Sequence, residues 1–521
     1  LVSLVYPGMY FIEGDAVVAE TALTKSGRGR TADFLNYYMV AFDQGDMRSW
    51  NRWLYGSQWH YTPNHYALGY MTLGTYRYLH DHPYVMHDGY DRASRIVFDF
   101  SPIQTMMKRG AGVKKFKQVF REVQDTMKGI WTAEIEARAP FISGEMVAEG
   151  DRLYTDYKDN IAVGSDIYSV KSGFMTTPVL VRIDSTGREH RVSRFASQTS
   201  VIRPTSQGRI YWSENLPDAR WSMKSDSRIR YIDLSRSVRK KNLTNRKDLL
   251  FNPTPSEDGF IVATVQYYTE GGSALAVRKA YEGGCDSVYE APDSVQLLET
   301  AWIGDNIYVT GLSEGGYGIY HLPGAASGKA ADWQTVLAPQ PVMIKDFRSY
   351  GEELIFACDR TGVHELYHLD PSSGVLKQKT STRYGASDFT YSTDGKWLYY
   401  SSQTLDGMKI FRPPVDSLID RTADYADIHK YVIADSLAEQ EKEIARQAGS
   451  DKAVPDIDFE ASEPRRYSKA GHMFNLHSWA PVYVSVDNIM NMSFDRIYQA
   501  ASLGVSGIMQ NRLSTGVGEF G

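Results

Sequence analysis

Over the first 140 residues the apolar side chains recur at a period of about 3.6, as in helices that bury one face. In NHYALGYMTLGTYRYLHDH, one side gathers Tyr66, Tyr70, Leu73 and either Tyr76 or Arg77; in VKKFKQVFREVQDTMKGIW, it gathers Val113, Phe116, Val119, Phe120, Val123 and Met127. A third helix is expected from Glu13 onward in MYFIEGDAVVAE, with Glu13, Val17 and Glu20 on one stripe. Two carboxylates on such a stripe are costly unless something positive meets them: a metal, a histidine or an arginine. SGRGR (26–30) and DFSPIQTMMKRGAG are expected to be loops or helix breaks.

From about residue 141 the pattern changes to short hydrophobic strands between turns. TPSEDGFIVATVQYYTEGGSALAVR and TYSTDGKWLYYSSQTLDGMKIFR share one plan: a Ser-x-Asp-Gly turn, a strand, a polar loop and a second strand. Turn glycines at 208, 259, 304, 351 and 395 are separated by 51, 45, 47 and 44 residues, which suits one four-stranded propeller blade per repeat. Asp-Gly serves such a hairpin because its turn needs positive φ. With EGDRLY around Gly150 as the sixth turn, six blades are expected over 141–412.

Residues 413–466 shift to a charged helix, DSLAEQEKEIARQAG, and a linker-like stretch, and a solvated connector is the expectation. In 467–521, Ala501, Leu503 and Val505 alternate with Ser502, Gly504 and Ser506, a period of two that fits a strand of a soluble sheet or of a membrane barrel.

The 521 residues predict two to four domains, and the 12% aromatic content favours many short strands. A net charge of -6, with no dense basic run beyond Arg236 to Lys241, excludes nucleic acid as an expected partner. Cys285 and Cys358 fall on different expected strands without metal-ligand spacing and are taken as small buried hydrophobes. No run approaches a membrane-spanning helix. The chain begins at Leu1 and ends within LSTGVGEFG, which suggests a fragment of a longer protein.

The Ser-x-Asp-Gly repeats resemble those of TolB-type propellers, most specifically around Gly259 and Gly395. That resemblance implies a six-bladed TolB-like β-propeller (141–412) used for contact with a protein or peptide ligand; with the N-terminal α-helical domain (1–140) read from periodicity, the fold expected is mainly β with a helical start. It does not by itself imply catalysis.

YFIEGDAVVAE resembles the segment that supplies the third zinc ligand of gluzincin metallopeptidases of the peptidase MA-like branch. There, aromatic-x-x-Glu-Gly-x-Ala-x-x-x-Glu follows a His-Glu-x-x-His helix. The resemblance implies that Glu13 coordinates zinc, Gly14 lets helices approach closely, and Glu20 supports the ligand from behind. It also implies that Tyr66, followed by Gly69, hydrogen-bonds the oxyanion of peptide hydrolysis. A catalytic zinc needs three protein ligands and acidifies the water in its open position. No His-Glu-x-x-His occurs in this sequence. The family places it about 20 residues upstream of Glu13, before Leu1, so zinc and peptidase activity are expected only of a longer chain. Two other readings stay open: Glu13 and Glu20 as a pair bound to Arg28 or Arg30, and His60, His65, His80, His82 and His87 as exposed loop residues rather than a metal cluster.

Finally, 467–521 looks like the start of an outer-membrane surface-antigen barrel, with its partner strands beyond Gly521 and little order expected without them. The three-part order is similar to large envelope proteins of Bacteroidetes-type bacteria, which implies the periplasm or outer membrane of a Gram-negative cell. A non-catalytic propeller scaffold at the outer membrane is the alternative function.

Overall fold

The computed structural model describes residues 8–96, 99–195, 200–221, 223–244, 249–280, 285–447, 466–468, 476–484, 501–511 and 516–521. Leu1–Gly449 and Ser450–Gly521 are two compact units.

Among the described residues, seven helices open the first unit: α1 (Met9–Leu23), α2 (Ala32–Asp43), α3 (Trp50–Tyr55), α4 (His65–His80), α5 (Val85–Arg95), α6 (Pro102–Gly110) and α7 (Phe116–Arg138). The expected stripes are buried: Val17 on α1, Tyr70, Leu73 and Tyr76 on α4, and Val119, Val123 and Met127 on α7 join one core. Helix α6 occupies a stretch expected to break. Pro102 stands in its first turn, where a missing N–H costs nothing, and Ile103 and Met107, four apart, bury together.

Six blades follow, the architecture expected. In chain order the innermost strands are Thr155–Val163, Arg203–Pro204, Leu250–Pro255, Gln296–Ile303, Ile344–Tyr350 and Ser387–Tyr391. The sixth sheet takes its outermost strand from the start of the propeller: Glu145–Ala148 pairs with Gly407–Arg412, so the two ends of the repeat array close the ring. The expected turn glycines all have positive φ, between 55° at Gly304 and 84° at Gly208. The sixth is corrected. Gly164, with φ 63°, makes the first hairpin, 44 residues before Gly208, whereas Gly150 lies between the closing strand and the first inner strand.

The connector expected after the propeller is not simply solvated. Arg421–Thr422 adds a fifth strand to the fifth blade, and helix α8 (Val432–Gln447) returns to pack on α1 and α4. Ile433, Ala434 and Leu437 are buried there. Arg77 of α4, itself buried, pairs with Glu441 at 2.7 Å, and Arg30 with Asp435 at 2.6 Å.

The second unit contains a three-stranded antiparallel sheet: Leu476–Val484, Ala501–Gln510 and Val517–Phe520. Leu503 and Val505, two apart on the central strand, are exposed. The linker-like stretch at 450–465 lies outside the described residues, as do residues 469–475, 485–500 and 512–515 of the segment expected to be poorly ordered. Among the described residues, no helix is long and apolar enough to cross a membrane.

Candidate functional site

Two places concentrate chemistry. The first is the crossing of α1 and α4. A Cβ on Gly14 would stand 2.5 Å from the Gly69 main chain, and one on Gly69 would collide with the Tyr10 carbonyl oxygen. Only glycine on both sides lets the axes come this close. The crossing brings Glu13 to Tyr66, 53 residues later in sequence. The neighbouring Glu13 carboxylate pushes the Tyr66 phenol pKa up.

Arg28, from the SGRGR turn, occupies the neighbouring position. Its main-chain N, Nε and Nη2 donate to the Glu20 carboxylate at 2.9, 2.7 and 3.0 Å, and the guanidinium lies 4.8 Å from the centre of the Tyr66 ring. These hydrogen bonds hold Glu20 below the usual carboxylate range. Glu20 is therefore met by a guanidinium, one of the partners its helical stripe demands.

The zinc expectation can be tested on the donor set. Glu13 is half-buried beside a phenol, and among the described residues no group of three or more His, Cys, Asp or Glu converges as metal ligands. The histidines do not gather. His82 contacts the Tyr76 hydroxyl and Asp88, His80 approaches Glu122 at 3.3 Å, and His60, His65 and His87 are exposed. One carboxylate and a phenol fall short of a zinc centre.

The second place is the mouth of the propeller axis. Helix α2 lies across blades five, six and one, tied down at both ends. Asp43 accepts two bonds from Arg383, at 2.8 and 2.9 Å, and one from the Tyr384 hydroxyl at 2.5 Å. At the other end Asp33, in the first turn, pairs with Lys345 at 2.7 Å and His364 at 3.2 Å. Tyr61 stacks on Tyr154 at 4.1 Å, so the helical core runs without a break into the propeller.

Beneath α2 lies a cavity of about 350 Å³. Its wall carries Asp33, Asp156, Lys158, Lys345, Asp346, His364 and Asp388 as charged or titratable groups, and Tyr37, Tyr61, Tyr154 and Tyr384 among its aromatic ones. The Asp33 side chain is half open, but to this cavity, with protein around it. Burial works against its ionisation, and His364 and Lys345 outweigh burial, holding it well below the usual carboxylate range.

Deeper on the axis, ionic side chains knit the blades together. Asp159, Asn252, Asp346 and Asp388 have φ between 51° and 57°, each at a register slip of an innermost strand. Asp and Asn tolerate this left-handed geometry better than other side chains. The Asp388 main-chain N–H donates to Asp346 at 2.7 Å, and that of Asp159 donates to Asp388 at 2.8 Å, joining blades five, six and one. Arg203 of blade two reaches Glu299 of blade four at 2.7 Å, and Arg348 of blade five donates to the Asn160 carbonyl of blade one at 2.9 Å. Burial, then the charges of Asp388 and Asp346, pushes Asp159 up to about 7.

These axial residues escaped sequence reading, although a signal was present. Asp159 and Asp346 stand five residues before turn glycines 164 and 351, and Asn252 and Asp388 seven before 259 and 395, the offset following the hairpin type.

No protein family profile and no curated protein matches the chain. Among solved structures, the chain is similar to the propeller domain of the trilobed protease from Pyrococcus furiosus, with 12% identity, TM-score 0.36, and coverage of 53% of this chain and 99% of that one. It is similar to TolB from Acinetobacter baumannii, with 14% identity, TM-score 0.34, and coverage of 59% and 72%. It is also similar to an oligogalacturonate lyase from Vibrio parahaemolyticus, with 12% identity, TM-score 0.33, and coverage of 48% and 76%. Identities and scores this low add nothing to the blade architecture evident from the strand order.

Proposed function

We propose that the chain is a binding protein of the Gram-negative cell envelope, in which the helical domain caps the propeller and the cavity beneath α2 holds a segment of a peptide or protein partner. The observation that carries this reading is the cavity itself: its volume lies within the range of small-ligand sites, and tyrosines and fixed charges of both signs line it. Tyrosine offers an apolar face with a polar tip, and Asp33 and Lys345 offer partners for peptide amides and termini. The envelope assignment draws on the sequence resemblances, and the exposed Leu503 and Val505 fit one of the first strands of an outer-membrane barrel. Photo-crosslinking with a degenerate hexapeptide pool tests the binding. Adducts mapped to Tyr61, Tyr154 or Tyr384 are expected; adducts confined to other surfaces, or none, would overturn it.

A second reading is favoured by the Glu13–Tyr66 contact, because two residues singled out by the gluzincin resemblance meet across the glycine crossing. In it the helical domain descends from a zinc metallopeptidase, Glu13 is one zinc ligand, and the histidines come from outside this sequence. Peptide hydrolysis then belongs only to the longer chain. Metal analysis of the longest natural chain decides: stoichiometric zinc lost in Glu13→Ala supports descent with a retained site, and a wild type without zinc ends the reading.

A further inference from the structure

The cavity under α2 ends on two carboxylates. The innermost strand of blade five leaves the capped face at Lys345, which bonds Asp33 of α2, and that of blade six leaves it at Ser387, close after Tyr384, which bonds Asp43. Asp346 and Asp388 are the last residues of these two strands to line the cavity. One layer further along, two arginines cross the axis. Arg203 of blade two donates to Glu299 of blade four and to the Phe347 carbonyl of blade five, and Arg348 of blade five donates to the Asn160 carbonyl of blade one. Arg203, Glu299 and Arg348 do not line the cavity, which closes above them. A blind pocket of this kind suits a chain end or a single side chain rather than a threaded segment.

The two carboxylates at its floor are held by neutral donors. Asp346 Oδ2 accepts the Asp388 main-chain N–H, while Asp388 Oδ1 accepts that of Asp159 and Oδ2 accepts the Ser387 hydroxyl at 2.8 Å. Among the described residues, neither Asp346 nor Asp388 forms an ion pair within 4.0 Å. The charges of Lys345 and Arg348 reach both from further away, but Lys345 is paired with Asp33 and Arg348 is bonded to Asn160. Asp346 Oδ1 accepts no hydrogen bond from any described residue. The residue is 6% exposed and stands on the cavity wall, so this oxygen is left for an occupant. Burial, with the charge of Asp346 beside it, raises Asp388, as befits a carboxylate short of counter-charge.

We propose that the floor of this pocket is a subsite for a primary ammonium of the bound peptide, its free amino terminus or a lysine side chain, with Asp346 Oδ1 as the first acceptor. This rests on the reading of the cavity as a peptide site and names the part of the peptide that enters deepest. An ammonium brings three donors and a positive charge, so it supplies both the open acceptor and the missing counter-charge. A peptide amide supplies only the donor, and a carboxylate supplies neither.

The test gives the full chain three degenerate photo-crosslinking hexapeptide pools without arginine: one with a free amino terminus and no lysine, one N-acetylated without lysine, and one N-acetylated with a single lysine. An ammonium-bearing pool should bind about tenfold more tightly than the acetylated, lysine-free pool, the weight of one charge-assisted hydrogen bond. Preference for the first pool alone assigns the subsite to the amino terminus, and for the third alone to lysine. Asp346→Asn should bring the ratio close to one. Asn252 holds the same left-handed place on blade three, with φ 51°, so the backbone accepts the change, and a melting curve checks it. Asp388→Asn, with the same expectation, serves if that variant does not fold. Equal binding by all three pools at Tyr61, Tyr154 or Tyr384 overturns the ammonium subsite and leaves the peptide cavity standing. A preference that both variants keep also overturns it, because the ammonium then sits elsewhere. Absence of adducts at those tyrosines from every pool removes the peptide reading and this inference together.

Discussion

At the scale of single residues, the clearest constraint is the glycine pair that lets α1 meet α4. Replacing Gly14 with alanine sets a Cβ 2.5 Å from the Gly69 backbone, where no rotamer change can relieve the clash. The helices must separate, so Gly14→Ala should cost about 1–3 kcal/mol, the range for overpacked cores, and should loosen the Glu13–Tyr66 contact. Gly129 provides the control. It lies within α7 with nothing within 4 Å of its missing Cβ. Gly129→Ala should therefore stabilise the chain by about 0.5–1 kcal/mol through helix propensity. Urea titration of the two variants should move the midpoint in opposite directions; equal shifts would show that the crossing is looser than described. Gly14 could be singled out from sequence because its motif specifies a glycine beside the glutamate. Arg28 was legible only as one of two candidates, because its reach to Glu20 depends on the turn at 28–30.

At the scale of elements, helices and strands were legible wherever one face is apolar and the other polar. Helix α8 shows where that fails. Its buried stripe is only Ile433, Ala434 and Leu437, while Arg77 meets Glu441 and Arg30 meets Asp435, so charged side chains that resemble a solvated surface are partly docking contacts. The blade period was legible because each Ser-x-Asp-Gly hairpin repeats a local requirement for positive φ. Blades one, four and five use a tighter two-residue turn at Gly164, Gly304 and Gly351 that lacks the motif, and in the first of them Gly150 in EGDRLY offered a false match. Ring closure was not legible at all. That Glu145–Ala148 pairs with the last blade is a tertiary fact, invisible to comparison of one repeat with the next. The candidate site divides the same way: Glu13 and Tyr66 each lie within a short motif, whereas the cavity needs α2, blade one, blade five and blade six in one place.

At the scale of the whole molecule, buried carboxyl groups of the propeller make stability depend on pH. Burial pushes both Asp159 and Glu365 up to about 7, and it raises Asp388 as well. In the unfolded chain such groups titrate near 4, so between about pH 4 and 7 the folded protein binds more protons than the unfolded one. Stability from these groups is therefore fully present below their unfolded pKa values and is lost as pH rises through about 7. Histidine opposes this at lower pH. Burial depresses His321 and His368 below 6.5, so their contribution is present above that value and is lost as pH falls. The carboxylates consequently act alone above about pH 6.5, and the apparent melting temperature should be a few degrees higher near pH 6.5 than near pH 8. Glu365 lies on blade five among the Thr380 and Thr382 hydroxyls, which donate to it at 2.5 and 2.9 Å. Glu365→Gln keeps the side-chain volume and remains neutral at every pH, so it should flatten part of that difference. A melting temperature that climbs from pH 6.5 to 8, in the wild type or equally in the variant, would mean that the axis is held together by ionised carboxylates, with Arg203, Arg348 and Lys345 as their counterions.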